Sequence, residues 1–383
     1  MEKVKENTTE IHTKENIFYN PHMELCRDIS SLCVGAIKDK LRICDGFSAT
    51  GIRGIRYIKE NENVESIALV DANRHALPLM KKNIKYNKVT SKKATAYNAD
   101  ILQHLFGKDY NFIELDPFGS PQSFLRSAIG EFASKSYIKT AYLSVTATDT
   151  AVLCGAKRKA CIKLYHSFPM NNYLCHEMGL RILLANISYA ATEYDFSIEP
   201  LFSLSHRHYF KTIIKLERGA EKTAETSRKI GYLEFNPSTL EIQTNELPKN
   251  TNKKKTEEKG NENGKADKLE NTNKNENWEI AGPLWLGNLH NKNILQNMRE
   301  LNEKRNYKNK YKLNTLLITL IEETDMPVGF YRTDRLSKIL KKESPKLEKL
   351  IEKLNKKNKT TKTHFDSMGF KTSINIKEIK KKF

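Results

Sequence analysis

LRICDGFSATGIRG, residues 41 to 54, reads as a buried strand, a turn of small residues and the start of a helix. The apolar run ends in an acid, Asp45, and the glycines after it allow a ligand to approach the backbone closely. A turn that opens a helix presents backbone N–H groups to an anion. The stretch predicts either an ordinary strand-to-helix connection or a nucleoside-binding turn, and its own residues leave both open. It lacks the G-x-G-x-x-G spacing and ends in arginines, Arg53 and Arg56. Both features favour a nucleoside that carries a carboxylate, such as S-adenosylmethionine, over a dinucleotide.

The same pattern, an apolar run that ends in an acid or a polar turn before a helix, recurs along the chain. It appears in VESIALVD, FIELD and YLSVTATD, which begin at residues 64, 112 and 142. Alternation of this kind predicts an α/β fold with a mostly parallel sheet flanked by helices. Ligands of such sheets bind at the carboxyl ends of the strands. Four acids are therefore expected along one edge: Asp45, Asp71, Asp116 and Asp149.

Other stretches predict further elements. Residues 1 to about 16 predict a disordered or loosely held lead, and residues 247 to 279 predict an exposed insertion because they contain almost no apolar side chains. Predicted helices cover 24–38, 72–87 with Pro78 near the middle, part of 167–195, 291–304 and 310–323, and two strands are predicted between 196 and 218.

Composition limits the possible partners and compartments. The 383 residues carry a formal net charge of +19, which favours a polyanion as partner, although a lysine-rich surface would give the same number. The six cysteines form no C-x-x-C pair and none lies beyond residue 175, so neither a disulfide framework nor a zinc ribbon is expected. No run approaches the roughly 20 apolar residues of a membrane span. The sequence predicts a cytoplasmic protein with no membrane segment.

DPFG, residues 116 to 119, begins with the acid that ends the run FIELD and has two interpretations. It is either a simple turn that uses proline and glycine, or a pocket for a flat base. The exocyclic amine of a base is a poor nucleophile because its lone pair is delocalised into the ring. A carboxylate such as Asp116 that accepts an amine N–H, beside a carbonyl held by Pro117, turns that lone pair toward a methyl donor. Phe118 can stack on the ring. Together with the glycine turn and Asp71, this pattern favours the base pocket.

Other candidate residues keep their alternatives. Asp71, at the end of the second run, predicts either a ribose-binding carboxylate or a helix N-cap. Asp100 predicts either an adenine contact or another N-cap. Phe18 precedes the first predicted helix, and Arg27 lies near its start. Phe18 would either cap a base pocket or make a hydrophobic contact. Arg27 would either clamp a carboxylate or form a surface salt bridge.

Five motifs, in order, resemble one family, the tRNA guanine-26 N2,N2-dimethyltransferases of the archaeal type. They are FYNPHMELCRD (18–28), DGFSATGIRGIRY (45–57), ELDPFGSP (114–121), SVTATDTAVLCG (144–155) and THFDSMGFKT (363–372). The resemblance implies a class I, Rossmann-like methyltransferase domain over 1–217. It also implies a smaller α+β C-terminal domain over 218–383 that binds tRNA, with the low-complexity insertion at about 245–279.

The resemblance also implies the chemistry: methyl transfer from S-adenosyl-L-methionine to the exocyclic N2 of guanosine 26 in tRNA. Asp116 matches the catalytic acid, Pro117 a carbonyl, and Phe18 and Phe118 a pair of rings that would sandwich the guanine. The matched cofactor-binding residues are Arg27 and Arg53 at the methionine end, Asp71 at the ribose, and Asp100 with Ile101 at the adenine.

The C-terminal lysines matter as a group, and five of them predict a tRNA face: Lys356, Lys357, Lys359, Lys362 and Lys371. Some members of the family carry a cysteine cluster for zinc after the catalytic domain. This chain has no cysteine there, so no metal is expected, and a monomer is assumed. Two other functions stay open: an amino methyltransferase of another RNA or of DNA, and a catalytically silent tRNA-binding protein.

Overall fold

Strands and helices alternate through the first half of the chain, and the computed structural model describes residues 2–246 and 277–383. The strands are β1 (Lys3–Glu6), β2 (Thr9–His12), β3 (Leu41–Asp45), β4 (Val64–Asp71), β5 (Ala94–Asn98), β6 (Phe112–Leu115), β7 (Thr140–Ala147), β8 (Phe196–His206), β9 (Tyr209–Arg218), β10 (Ile230–Phe235), β11 (Ile242–Glu246), β12 (Glu279–Trp285), β13 (Tyr331–Arg332), β14 (Thr360–Lys362) and β15 (Gly369–Thr372). The helices are α1 (Glu24–Ala36), α2 (Ile52–Glu60), α3 (Ala76–Tyr86), α4 (Ile101–Leu105), α5 (Gln122–Ala133), α6 (Thr150–Leu153), α7 (Arg158–Tyr165), α8 (Cys175–Thr192), α9 (Ala220–Ser227), α10 (Lys292–Lys304), α11 (Lys310–Glu323), α12 (Thr333–Leu340), α13 (Leu347–Asn355) and α14 (Ile376–Lys382).

The central sheet has seven strands in the order β5-β4-β3-β6-β7-β9-β8. The neighbouring pairs from β5 to β7 are parallel, whereas β9 runs antiparallel to both β7 and β8. The predicted mostly parallel α/β fold is confirmed. From β3 the chain continues to β4 on one side and returns later to β6 on the other. The carboxyl ends of β3 and β6 therefore flank the point where the strand order reverses, which is where ligands bind in open sheets of this type.

Apolar side chains cover both faces of the parallel strands. Leu69 and Val70 are neighbours on β4, yet they belong to two different buried clusters, one on each face of the sheet. Phe112 and Ile113 on β6 divide in the same way. Because consecutive side chains of a strand point to opposite faces, this division explains the continuous hydrophobic runs in the sequence.

The N-terminal residues were predicted to be loosely held, and that prediction is wrong. β1 and β2 form an antiparallel hairpin in which Lys3 pairs with His12. The carboxylate of Glu6, at the end of β1, is buried and accepts hydrogen bonds from Arg27 and Arg56. The first residues are polar in sequence, and a local pattern cannot show that their charged groups have partners far along the chain. The pairing of Glu6 with Arg27 and Arg56 is what holds this segment in place.

The helix predicted over 72–87 begins later than expected. It is α3, which starts at Ala76, so Pro78 stands in its first turn, where a missing backbone N–H costs little. The long helix within 167–195 is α8, and the two strands after it are β8 and β9. The helices predicted over 291–304 and 310–323 are α10 and α11.

Two small antiparallel sheets and their helices follow the central sheet. Their strand orders are β11-β10-β12 and β13-β15-β14. The insertion predicted at about 245–279 is bounded by β11, which includes residues 245 and 246, and by β12, which begins at Glu279. The rest of that prediction lies outside the described residues. Among the residues described, no helix is both long and apolar enough to cross a bilayer.

Candidate active site

Hydrogen bonds tie the turn after β3 to the ends of both neighbouring strands. The Gly46 N–H donates to the carbonyl of Glu114 on β6 at 3.1 Å. The Ala49 N–H donates to the carboxylate of Asp71 at the end of β4 at 2.7 Å. Gly51, just before α2, has φ +80°, a conformation that glycine adopts without strain. The turn therefore presents its backbone at the point where the strand order reverses.

This turn opens into a cavity of about 410 Å3. The cavity is lined from both sides of the reversal point, and its lining contains every residue that the sequence predicted for the site: Phe18, Arg27, Arg53, Asp71, Asp100, Ile101, Asp116, Pro117 and Phe118. These residues come from regions up to 100 positions apart. That they meet in one cavity supports a single site, while the role of each of them stays a prediction.

Asp116 lies directly after β6, and its side chain is 20% exposed toward the cavity. The guanidinium of Arg53, on the first turn of α2, forms a short ion pair with the Asp116 carboxylate. Another nitrogen of the same guanidinium, Nη1, lies 3.9 Å from a carboxylate oxygen of Glu114 and makes no hydrogen bond within the part of the chain that the structure describes. Arg53 therefore sits between two acids, Glu114 and Asp116, and places a positive charge on the candidate catalytic acid.

The turn that carries Phe118 is held from the neighbouring strand. Gly119 has φ +79° and so reverses the chain after the aromatic ring. Its N–H donates to the Thr148 hydroxyl at 2.7 Å, and the Thr148 N–H donates to the Gly119 carbonyl at 3.0 Å. These bonds leave Phe118 80% exposed at the mouth of the cavity.

The rings of Phe18 and Phe118 touch each other. Their centroids are 5.0 Å apart and their planes stand at 87°, an edge-to-face contact between two exposed rings. A base stacked between two rings needs ring planes about 7 Å apart, twice the optimal separation of carbon atoms. The predicted sandwich is therefore not formed in this conformation, and one ring has to rotate before a base can enter between them.

Arg27 contacts a partner that the sequence did not predict. Its guanidinium donates to both carboxylate oxygens of Glu6, at 2.9 and 2.5 Å, and to the carbonyl of Asn20 at 3.0 Å. Burial raises the pKa of Glu6, but the hydrogen bonds and positive charges of Arg27 and Arg56 leave it below its usual value. Arg27 was predicted to bind the carboxylate of a ligand, and in this structure it binds the carboxylate of Glu6 instead. The alternative, a surface salt bridge, is wrong because the ion pair is buried.

Asp71 is not the N-cap of the helix that follows it. The N-cap of α3 is His75, whereas the two carboxylate oxygens of Asp71 accept N–H bonds from Ala49 and Asn73. These bonds hold the carboxylate at the cavity wall, with lone pairs that remain for a ligand. The ribose contact remains the interpretation that fits this geometry.

Asp100 is an N-cap, as one of its two alternatives predicted. One carboxylate oxygen, Oδ1, accepts the N–H groups of Leu102 and Gln103 at 2.9 and 3.3 Å. The residue also lines the cavity beside the buried Ile101. The cap fixes the side chain, so the two alternatives are compatible, and the adenine contact stays a prediction.

Two buried acids stand behind the cavity: Glu114, which was not predicted as a site residue, and Asp45, which was expected at this edge of the sheet but was given no role. Glu114 forms an ion pair with Lys211 and accepts a hydrogen bond from the Tyr57 hydroxyl at 2.9 Å. Burial raises its pKa, but the charges of Lys211 and Arg53 outweigh that effect and bring it to about 2. The sequence did contain a signal for Glu114, since it is an acid in the middle of the apolar run FIEL. Burying an unpaired charge there would cost folding free energy, so a partner for Glu114 could have been expected. Asp45 is buried as well, and one of its carboxylate oxygens has no hydrogen-bond partner among the described residues.

The buried carboxyl of Asp45 predicts a pH dependence of stability. Burial raises its pKa to about 7, because Arg53 offsets only part of the burial effect and the negative charges of Glu114 and Asp116 add to it. In the unfolded chain an aspartate titrates near about pH 4. Between these two pH values Asp45 is ionised in the unfolded chain and protonated in the folded chain. The free energy of unfolding therefore falls as the pH rises to about 7, and above that pH this group causes no further loss.

The variant Asp45→Asn cannot ionise, so we expect it to gain stability relative to the unsubstituted protein as the pH rises through this window. The gain should exceed about 1 kcal/mol at the upper end. Urea unfolding at a series of pH values measures it. A difference between the two proteins that stays constant from about pH 4 to pH 7.5 would show that Asp45 titrates normally.

The strand order, the glycine turn and the acid at the end of the fourth parallel strand together define a class I methyltransferase. The chain belongs to the family described as TRM: N2,N2-dimethylguanosine tRNA methyltransferase, whose family model matches residues 1–383. The family predicted from the motifs is thereby confirmed.

Its relatives and a solved structure match along most of their length. The tRNA (guanine(26)-N(2))-dimethyltransferase of Pyrococcus abyssi is 34% identical, with 93% of this chain and 89% of the relative covered. The enzyme of the same name from Pyrococcus furiosus is 37% identical, with 93% and 90% covered. The solved complex of Trm1 from Pyrococcus horikoshii with S-adenosyl-L-methionine has a TM-score of 0.85 at 31% identity, with 100% of this chain and 99% of that chain covered.

Proposed function

We propose that this chain transfers methyl groups from S-adenosyl-L-methionine to the exocyclic N2 of guanosine 26 in tRNA, giving N2-methyl- and N2,N2-dimethylguanosine. One observation carries the proposal. The acid, proline and aromatic of residues 116–118 line the same cavity as the glycine turn, in a chain that belongs to a family of tRNA guanine dimethyltransferases.

The residues of the cavity fit the cofactor, which supplies a methyl group carried on a sulfonium. Arg53 lines the cavity and brings a guanidinium charge that suits the carboxylate of the methionine end. Asp71 is held at the cavity wall to accept the ribose hydroxyls, and Asp100 with Ile101 flanks the place for the adenine. We assign Arg27 to a positioning role, because it binds Glu6 and the carbonyl of Asn20 and so fixes the segment that presents Phe18.

In the proposed reaction the chain orients the amine and removes its proton. An oxygen of the Asp116 carboxylate accepts one N–H of the guanine amine, and the carbonyl of Pro117 accepts the other. The amine nitrogen is thereby pulled toward tetrahedral geometry, with its lone pair facing the methyl donor. After transfer the nitrogen has to lose a proton, and Asp116 is the acceptor within reach. Arg53 holds the carboxylate in place throughout.

The target base has to leave its stack. N2 of guanine faces the minor groove, so the base is extruded into the pocket at a cost of a few kcal/mol, about as much as stacking on one or two aromatic rings returns. Phe18 and Phe118 are the exposed rings at the cavity mouth, and we propose that they part to receive the base.

Replacing Phe118 tests the stacking role. We expect Phe118→Ala to lower kcat/KM for tRNA by about 10- to 100-fold, the value of stacking one base on a ring. The affinity for S-adenosylmethionine should change little. The matched control is Phe106→Ala, since Phe106 is equally exposed, at 83%, but lies outside the cavity at the end of α4. Equal losses in both variants would contradict a specific stacking role.

We propose that residues 1–217 carry the cofactor and the chemistry and that residues 218–383 supply the main tRNA contacts, with the protein acting as a monomer in the cytoplasm. The net charge of +19 supports a polyanionic substrate. Among the lysines predicted for the tRNA face, Lys356 and Lys359 are exposed, and Lys357 and Lys362 are exposed but form ion pairs with acids. Lys371 is buried, so its assignment to that face is wrong.

The proposal is tested by incubating the protein with labelled S-adenosylmethionine and an unmodified tRNA transcript, followed by digestion to nucleosides. Label in N2-methylguanosine and N2,N2-dimethylguanosine supports it, and a transcript with adenosine at position 26 should stay unlabelled. Label in N6-methyladenosine would indicate an amino methyltransferase of another base. Tight tRNA binding without any label would indicate a silent tRNA-binding protein.

A further inference from the structure

Two cysteines and a histidine that are separated in sequence meet on the catalytic half of the molecule. Cys154 follows the last residue of α6, and Cys175 and His176 are the first two residues of α8. Their two sulfur atoms and one imidazole nitrogen all lie within 4.8 Å of one another. Each side chain is partly exposed, so the group is accessible to a dissolved ion.

The spacing suits tetrahedral coordination by zinc. In such a site a thiolate sulfur at about 2.3 Å and an imidazole nitrogen at about 2.0 Å from the metal lie about 3.5 Å from each other. The Cys175 Sγ and the His176 Nδ1 are 3.6 Å apart. The side chains are therefore already arranged at the distance that a shared ion would impose.

The side chains also offer the donor atoms that such a cation prefers, because cysteine sulfur and imidazole nitrogen are its usual ligands in proteins. Cysteine binds a metal as the thiolate, so binding would release protons.

We propose that Cys154, Cys175 and His176 form a binding site for zinc or a similar thiophilic divalent cation, with water in the fourth position. The expectation of no metal rested on the absence of paired cysteines and of any cysteine beyond residue 175. The fold instead joins the cysteine that follows α6 with an adjacent Cys-His pair at the start of α8.

The position of the site indicates what it does. Cys154 ends the segment that starts at Thr148, and Thr148 holds Gly119 in the turn of the candidate catalytic acid. A metal here would fasten this segment to α8, which is buried along most of its length. The ion therefore has a structural role: it stabilises the support of the catalytic turn and takes no part in methyl transfer.

Cobalt(II) is the probe for this site, because a thiolate–cobalt bond gives a charge-transfer absorption that a merely structural cysteine does not. We expect the full chain, purified under reducing conditions and stripped with a chelator, to bind one cobalt per chain with this absorption. Zinc should displace the cobalt and raise the Tm. Cys175→Ser and His176→Ala should each weaken cobalt binding at least about tenfold, the effect expected when a ligand set is disturbed.

Two variants serve as matched controls: Cys161→Ser, which changes a nearby cysteine outside the group, and His166→Ala, which changes an exposed histidine. Both should bind cobalt as the unsubstituted protein does. The proposal is overturned if the reduced, unsubstituted chain shows no thiolate–cobalt absorption, or if the controls lose it as fully as the ligand variants. Circular dichroism of each variant separates loss of a ligand from loss of the fold.

Discussion

Asp116→Asn is expected to lower kcat for methyl transfer to tRNA by about 10²- to 10⁴-fold, the range observed when a positioned proton acceptor is removed. The amide keeps the size of the side chain and one carbonyl oxygen, so the base can still enter, but it cannot take up the proton of the alkylated amine. Binding of S-adenosylmethionine should remain or become tighter. The substitution releases Arg53 from its ion pair with Asp116, which leaves the guanidinium free for the carboxylate of the cofactor.

The split between kcat and cofactor affinity distinguishes a catalytic role from a structural one. Single-turnover assays give the rate, and calorimetry gives the Kd of the cofactor. Asp109→Asn is the matched control, because Asp109 precedes the same strand, β6, at its opposite end and pairs with Arg42 on the surface. If Asp116→Asn lost cofactor binding and rate together, or if Asp109→Asn lost as much rate, Asp116 would be a scaffold residue.

The edge of the sheet was predictable because its signals are local. Each apolar run and the acid after it stand within a few residues of one another, so β3, β4 and β6 and the positions of Asp71 and Asp116 followed from the sequence. The parallel arrangement then implied that the strand ends meet. The resemblance to a known family supplied the roles of the residues, which local patterns had left open.

The parts that the sequence missed are pairings between distant residues. Glu6 meets Arg27 and Arg56, and each looks like an ordinary surface charge in its own segment. Cys154 meets Cys175 only because α6 packs beside α8. Local composition records whether a residue is polar but not which distant partner it meets, so the sequence alone could not show that these charges and thiols form buried or clustered groups.

Lys371 shows how large the consequence of such a pairing is. It was counted with the lysines of a tRNA face, yet it is 2% exposed and its ammonium donates to both oxygens of the Glu177 carboxylate at 2.8 Å. It also donates to the carbonyls of Pro327 and Gly329, at 3.1 and 3.0 Å. Glu177 belongs to α8 beside the central sheet, and Lys371 belongs to β15 near the C-terminus. The ion pair therefore joins the two regions that we assign to chemistry and to tRNA contact.

We expect Lys371→Met to lower the free energy of unfolding by about 3 kcal/mol or more, because it leaves a buried carboxylate with fewer partners and two carbonyls without a donor. Urea unfolding measures the change. Lys362→Met is the matched control on the adjacent strand β14, where the ion pair with Glu348 is exposed and should contribute less than about 1 kcal/mol.

The double variant Glu177→Gln, Lys371→Met measures how strongly the two side chains are coupled. It should recover little of the stability that Lys371→Met loses, because Glu177 also forms a buried ion pair with Arg181 at 3.0 Å, and the second substitution takes the carboxylate away from that arginine. A lysine that bound tRNA would behave in the opposite way. Lys371→Met would then leave unfolding unchanged and weaken tRNA binding, and the second substitution would restore neither. Since the ammonium is enclosed by four acceptors, the stability loss is the result that the geometry requires.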